Sequence, residues 1–225
     1  MEILPVIGLT LQIALVATII DVPFAVGLSW LIIKKRVPGS FVLDIFMSLP
    51  LAVPPVVVGY LLLMLLGRNG PLGGIIQNVF GADVTFTWVA AAIAAAIVSF
   101  PLMARTIMVS MRGVDPVLER SARSLGAGPW RVLFTITVPL AYRGILAGIL
   151  LGFVRAMSEF GATIVVAGNI PGRTQTLPLA IFSRVQLGDD DMALRLVAVS
   201  VGLAALTLAL HNWLLERSQG NTEAR

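Results

Sequence analysis

The sequence predicts an all-α polytopic membrane protein with about five transmembrane helices. Of its 225 residues, 57% are hydrophobic and only 12% charged, about half the charged share of ordinary soluble domains. Several stretches reach the roughly 20 apolar residues needed to cross a hydrocarbon core about 30 Å thick. The basic residues gather between those stretches, where membrane orientation requires them. The net charge of +4 therefore belongs to topology and not to nucleic-acid binding.

The first span is read over residues 6–33, closed by Lys34, Lys35, Arg36 and a turn at Pro38 and Gly39. Its charges follow the apolar run, whereas a cleavable signal has them before it, so this span is expected to be retained. The second span, 41–66, carries Pro50, Pro54 and Pro55. Each removes a helix donor, which makes either a packing kink or a hinge bordering a pore. The third span is 86–109, with Pro101 near its end, the fourth 140–160 and the fifth 193–215. Residues 161–192 are apolar only in pieces, interrupted by Gly168, Asn169, Pro171, Gly172 and Pro178. Unsatisfied backbone cannot face lipid, so this reads as a re-entrant or surface-packed segment. There is no linker or repeat, which predicts one membrane domain over 1–225 ending in a disordered tail from Arg217.

Lysine and arginine set the expected orientation. Lys34, Lys35 and Arg36 follow the first span, and Arg105, Arg112, Arg120, Arg123, Arg131 and Arg143 surround the central loop. On the other side Arg68, Arg155, Arg173 and Arg184 are diluted by Glu159, Asp189, Asp190 and Asp191. The positive-inside rule puts residues 34–40, 110–136 and the C-terminus in the cytoplasm and the N-terminus outside.

Composition removes most catalytic chemistry. There is no cysteine, and the single histidine is His211, which excludes disulfides, thiolate metal sites and histidine-based nucleophilic triads. A phosphate-binding loop needs Gly-x4-Gly-Lys followed by Ser or Thr, and the only lysines, Lys34 and Lys35, lie in no such frame. No enzyme activity, cofactor or metal is expected. Asp21 lies mid-span beside Pro23. A carboxylate there marks a pathway or proton relay, or else a helix-break polar group satisfied locally near Pro23.

The central loop, 110–136, has its own architecture. Asp115 and Pro116 suit a helix cap and first position. Leu118, Ala122 and Leu125 recur at i, i+4 and i+7 as one apolar face, with Arg120 and Arg123 off that stripe. Gly126 suits a left-handed terminator. After Gly128, Pro129 opens another short helix through Trp130, Arg131 and Phe134 into the fourth span. A helix this short needs a surface to lie on, either lipid headgroups or a protein.

Residues 119–139 resemble the cytoplasmic loop of ABC importer permeases, whose pattern is Glu-Ala-Ala, three residues, Gly, nine residues, Ile, any residue, Leu-Pro. Ala122, Gly126, Ile136 and Pro139 fall on it, Ser121 is a small substitute and Val138 stands for Leu. Arg120 occupies the usual Glu position, with Glu119 one residue earlier, about 100° away around a helix. Residues 49–60, 67–70, 118–140 and 158–162 extend the resemblance to the membrane permeases of molybdate ABC importers.

The resemblance implies the type I importer permease fold with a cytoplasmic coupling helix. It implies coupling to a separate ATPase through Glu119, Arg120, Ser121, Ala122, Arg123, Leu125, Gly126 and Pro139. Pathway candidates are Asp21, Pro54, Pro55, Arg155 and Glu159. Arg155 and Glu159, at i and i+4, either form an ion pair fixing a helix end or place a cation at the anion entrance. The implied partners are a second permease copy, two ATPase subunits, an extracytoplasmic anion-binding protein and lipid of the inner membrane. Permeases for sulfate or tungstate are the near rivals. An ATP-independent channel or carrier is the rival of another class, against which the isolation of Asp21 speaks.

Overall fold

The computed structural model describes residues 3–33, 39–81 and 83–219. Its long helices are α1 (Ile3–Ile33), α5 (Trp88–Arg112), α8 (Val138–Met157) and α11 (Asp190–Gln219). Shorter ones are α2 (Ser40–Ala52), α3 (Pro55–Leu66), α4 (Pro71–Phe80), α6 (Pro116–Ser124), α7 (Pro129–Val132), α9 (Gly161–Val166) and α10 (Leu177–Gln186). A π-helical turn, Leu133–Thr137, joins α7 to α8.

Helix α5 is the centre of the packing. Ala90, Ala91, Ala92, Ala94, Ala95 and Ala96 are all buried, since small side chains let neighbouring backbones approach closely where no hydrophobic force drives helices together. On one side lies α1. Ser99 donates to Asp21 Oδ2 at 2.9 Å and Ser29 donates to the Ala104 carbonyl at 2.9 Å. Residue numbers rise together along the contact, so α1 and α5 run parallel.

That direction determines the topology. Among the described residues, four helices are long and apolar enough to span, and α2 with α3 passes the same test as a pair bent by 108°. Because α1 and α5 are parallel, the chain between them must return across the membrane, and only α2 and α3 can carry it. The second span is therefore broken, where the sequence suggested one kinked helix. Val53 and Pro54 are both extended, with ψ near 135°. Pro54 biases Val53 away from helix, and Pro55 does the same to Pro54 before serving as the first residue of α3. Pro50 stays inside α2.

Helix α8 runs antiparallel to α5. Ser110 donates to the Ala141 carbonyl at 3.0 Å, and Gly144, Gly148 and Gly152 follow at four-residue spacing. A Cβ at Gly148 would lie 2.9 Å from Ile107 Cγ1, and one at Gly152 would lie 2.5 Å from Met103 Cε. This glycine stripe is a sequence signal that the span-by-span reading passes over.

Other element boundaries follow from local capping and packing. The third span is Trp88–Arg112, begun by Thr87, whose hydroxyl accepts from Ala90 N. The helix of the fourth span begins at Pro129, inside the expected loop, and continues to Met157 over 29 residues. It passes Pro139 because the preceding turn is π-helical, with Val138 N–H reaching the Leu133 carbonyl. The last helix includes residues 217–219, which were expected in the tail; the rest of that tail, with the Lys34, Lys35, Arg36 and Pro38 boundary, lies outside the described residues. The segment after the fourth span forms α9 and α10 around a buried irregular stretch, with Thr174, Gln175 and Thr176 inside. Thr174 N–H donates to the Ile170 carbonyl at 2.9 Å and Leu177 N–H to Thr10 Oγ1 at 2.8 Å. These bonds satisfy backbone that lipid could not.

The glycine stripe is testable. Gly148→Leu should destabilise the detergent-purified protein by about 1–3 kcal/mol, read as a lower melting temperature. Gly202→Ala, where a Cβ meets nothing within 4 Å, should leave it unchanged or raise it slightly.

Candidate coupling surface and membrane polar sites

Helix α6 is built to hold its shape while presenting one face outward. Asp115 accepts from Val117 N at 2.8 Å, Pro116 takes the first position, and Gly126 has φ +84°. Gly126 N–H donates to the Arg123 carbonyl at 2.9 Å and Ala127 N–H to that of Ala122 at 3.0 Å, the paired bonds of a Schellman end. Leu118 is 46% exposed and Leu125 89% exposed. Arg120, Ser121 and Arg123 are also exposed, and Ala122 is half-buried. Trp130 and Phe134 continue the apolar surface onto the next helix.

Glu119 faces the other way. It is only 5% exposed, and its Oε1 accepts from Thr137 Oγ1 at 2.7 Å. The rotation between Glu119 and Arg120 thus separates an inward carboxylate from an outward guanidinium. Glu119 ties α6 to the π-helical turn, and Arg120 occupies the exposed surface. Pro139, the last residue of the loop pattern, lies at the start of α8 and is exposed. Trp30 near the end of α1 meets Trp130 with ring centroids 4.9 Å apart, so the end of the first span and the α6 region share one side of the membrane.

At the opposite end of α8, Arg155 Nη1 pairs with Glu159 Oε2 at 3.0 Å. Glu159 is buried, and its second oxygen accepts from Ala162 N at 2.8 Å. One carboxylate therefore holds Arg155 and caps α9. Helix α9 in turn lies against the broken span. A Cβ at Gly59 would lie 2.5 Å from the Ala162 carbonyl oxygen, and one at Gly161 would lie 3.1 Å from Pro55 Cβ. The structure thus brings Pro55, Arg155 and Glu159 into one neighbourhood through α9. Asp21 is elsewhere, buried between α1 and α5, and its partner is Ser99 and not the backbone near Pro23. Among the described residues no group of His, Cys, Asp and Glu could hold a metal ion.

A model of the binding-protein-dependent transport system inner membrane component matches residues 21–220. The chain belongs to that family. It is 45% identical over 94% of its length to the molybdenum transport system permease protein ModB of Escherichia coli K12, covering 93% of that protein. It is 35% identical over 92% of its length to the sulfate transport system permease protein CysT of the same strain, covering 75% of that protein. The fold also matches a crystal structure of an amino acid ABC transporter with histidines, with a TM-score of 0.64, 20% identity, and coverage of 94% of this chain and 92% of that one. This inner membrane component accordingly has the type I importer permease fold expected from its loop.

The inward carboxylate can be separated from the outward surface. Thr137→Val removes the hydroxyl that serves buried Glu119 and should cost about 1–3 kcal/mol of stability. Glu119→Gln keeps an acceptor there and should be milder. The check is thermal melting of both purified variants beside the parent.

Proposed function

We propose that this chain is the permease subunit of an ATP-driven importer that moves molybdate across the inner membrane by alternating access. Two copies form the membrane unit, bound to two copies of a separate ATPase and supplied by an extracytoplasmic anion-binding protein. The N-terminus lies outside, with α6 and the C-terminus in the cytoplasm. The chain acts as one membrane domain and carries no nucleotide site of its own, since no phosphate-binding loop is present in its sequence.

The observation that carries the transport reading is α6: capped at both ends, clamped from inside by Glu119, and left with an exposed apolar and cationic face. Its packing surface is a separate ATPase. Arg120 stands where the resembling loops have Glu, so its partner on that ATPase is an acceptor or an acid. Molybdate is favoured over sulfate because identity to the molybdenum relative, 45%, exceeds that to the sulfate relative, 35%.

The mechanism follows from connectivity. A shift of α6 is delivered through Glu119 and Thr137 to the base of a continuous helix of 29 residues, about 43 Å long at 1.5 Å per residue. Its far end carries Arg155 and Glu159. Glu159 caps α9, and α9 is packed without a gap on α3, just beyond the Val53–Pro54 break. Movement at the cytoplasmic face thus reaches the broken span, whose extended residues are the natural hinge. Arg155 supplies a cation for the anion at the outer end, held in place by Glu159.

Two experiments test this. Cells lacking the chain should lose high-affinity molybdate uptake and keep sulfate uptake; the reverse pattern moves the assignment to sulfate. For orientation, Gly128→Cys in this cysteine-free sequence should resist a membrane-impermeant thiol reagent in right-side-out cells. Ready labelling there would invert the proposed topology.

A further inference from the structure

Between the outer part of α1, helix α4 and the start of α5 lies a cavity of about 940 Å³ that none of the groups above uses. Its lining residues include Gln12, Asp83, Thr87, Trp88 and Arg173, which carry polar groups. Gln12 is the informative one. It lies nine residues past Ile3, about 13 Å along α1 at 1.5 Å per residue and within the first span, and it is exposed. An amide within an apolar span loses hydrogen bonds wherever it faces hydrocarbon, so water or a ligand is the better match for its exposed side.

Arg173, on the turn that follows Gly172 at φ +75°, is exposed and has no ion-pair partner among the described residues. Its planar fork of donors suits an oxyanion. Asp83 in the same wall is a carboxylate and would compete for that guanidinium when no anion is present. Next to it, with Ile93 in both walls, lies a smaller groove of about 300 Å³ lined by Asp21, Pro50 and Phe100. A mostly apolar hollow with an amide and a guanidinium in its wall, next to an apolar groove that reaches the broken span at Pro50, suits an entry station.

We propose that this cavity is the outer station of the transport path and receives a tetrahedral oxyanion between the Gln12 amide and the Arg173 guanidinium. The inference rests on the importer reading above. The test uses the assembled transporter with its ATPase and binding protein in proteoliposomes, with single cysteines placed in the cysteine-free chain. Gln12→Cys should react with a charged, impermeant methanethiosulfonate from the outer side, and molybdate-loaded binding protein should slow the reaction. Val201→Cys, exposed on α11 eleven residues past Asp190, should not react. Arg173→Gln should lower uptake at subsaturating anion about tenfold, with Arg173→Lys restoring much of it.

An unreactive Gln12→Cys would mean that lipid or a second copy of the chain fills the cavity, and would overturn the proposal. So would reaction that no oxyanion slows together with unchanged uptake by Arg173→Gln, which would leave only a water pocket. Protection by sulfate with no response to molybdate would overturn the substrate reading while upholding the station itself.

Discussion

Close packing around α5 is the constraint from which the rest of the structure follows. A helix whose alanines are buried on every side lets α1 and α8 approach it at backbone distance, and dispersion then acts over many short contacts. Buried hydroxyls reinforce each approach: Ser99 to Asp21, Ser29 to Ala104, Ser110 to Ala141. The same contacts carry the direction of every neighbour. With α1 parallel to α5, the intervening chain has to cross the membrane, although its prolines prevent a straight helix. The broken second span is the solution to that conflict.

Two proline problems are resolved differently, and the difference is functional in the proposed mechanism. Around Pro54 and Pro55 the helix stops and restarts at 108°, since consecutive prolines exclude helical geometry from the residues before them. At Pro139 the helix continues, because a π-helical turn shifts the bonding register just before it. The first arrangement leaves two extended residues, Val53 and Pro54, between the helices. The second leaves a continuous rod from the α6 region to Arg155. In the proposed mechanism a hinge and a lever are thus built from the same residue type, distinguished by whether the neighbouring register can absorb the missing donor.

The buried acids follow a common rule as well. Asp21, Glu119 and Glu159 each reach a donor on another element or on the next helix start: Ser99, Thr137, and Arg155 with Ala162 N. A lone carboxylate would be costly in such surroundings. Each acid therefore doubles as a tie between segments that hydrophobic packing alone would hold without register.

Much of this was legible in the residues. Hydropathy located the spans, because crossing a bilayer demands long apolar runs whatever the fold. Local chemistry located the caps of α6, since Asp115, Pro116 and Gly126 act through their own backbone and near neighbours. The loop pattern pointed to the family for the same reason. The angular offset between Glu119 and Arg120 was visible in helix geometry, but not which of the two would be buried; that required Thr137, eighteen residues away. The partner of Asp21 lies on another helix altogether. The 108° break, the parallel course of α1 and α5, the glycine seam of α8 and the cavity around Gln12 were settled only by tertiary structure. Hydropathy and periodicity report how a residue meets its surroundings on average. They carry no information about which distant element supplies those surroundings, and in this protein that pairing sets the direction of the spans and the course of the proposed path.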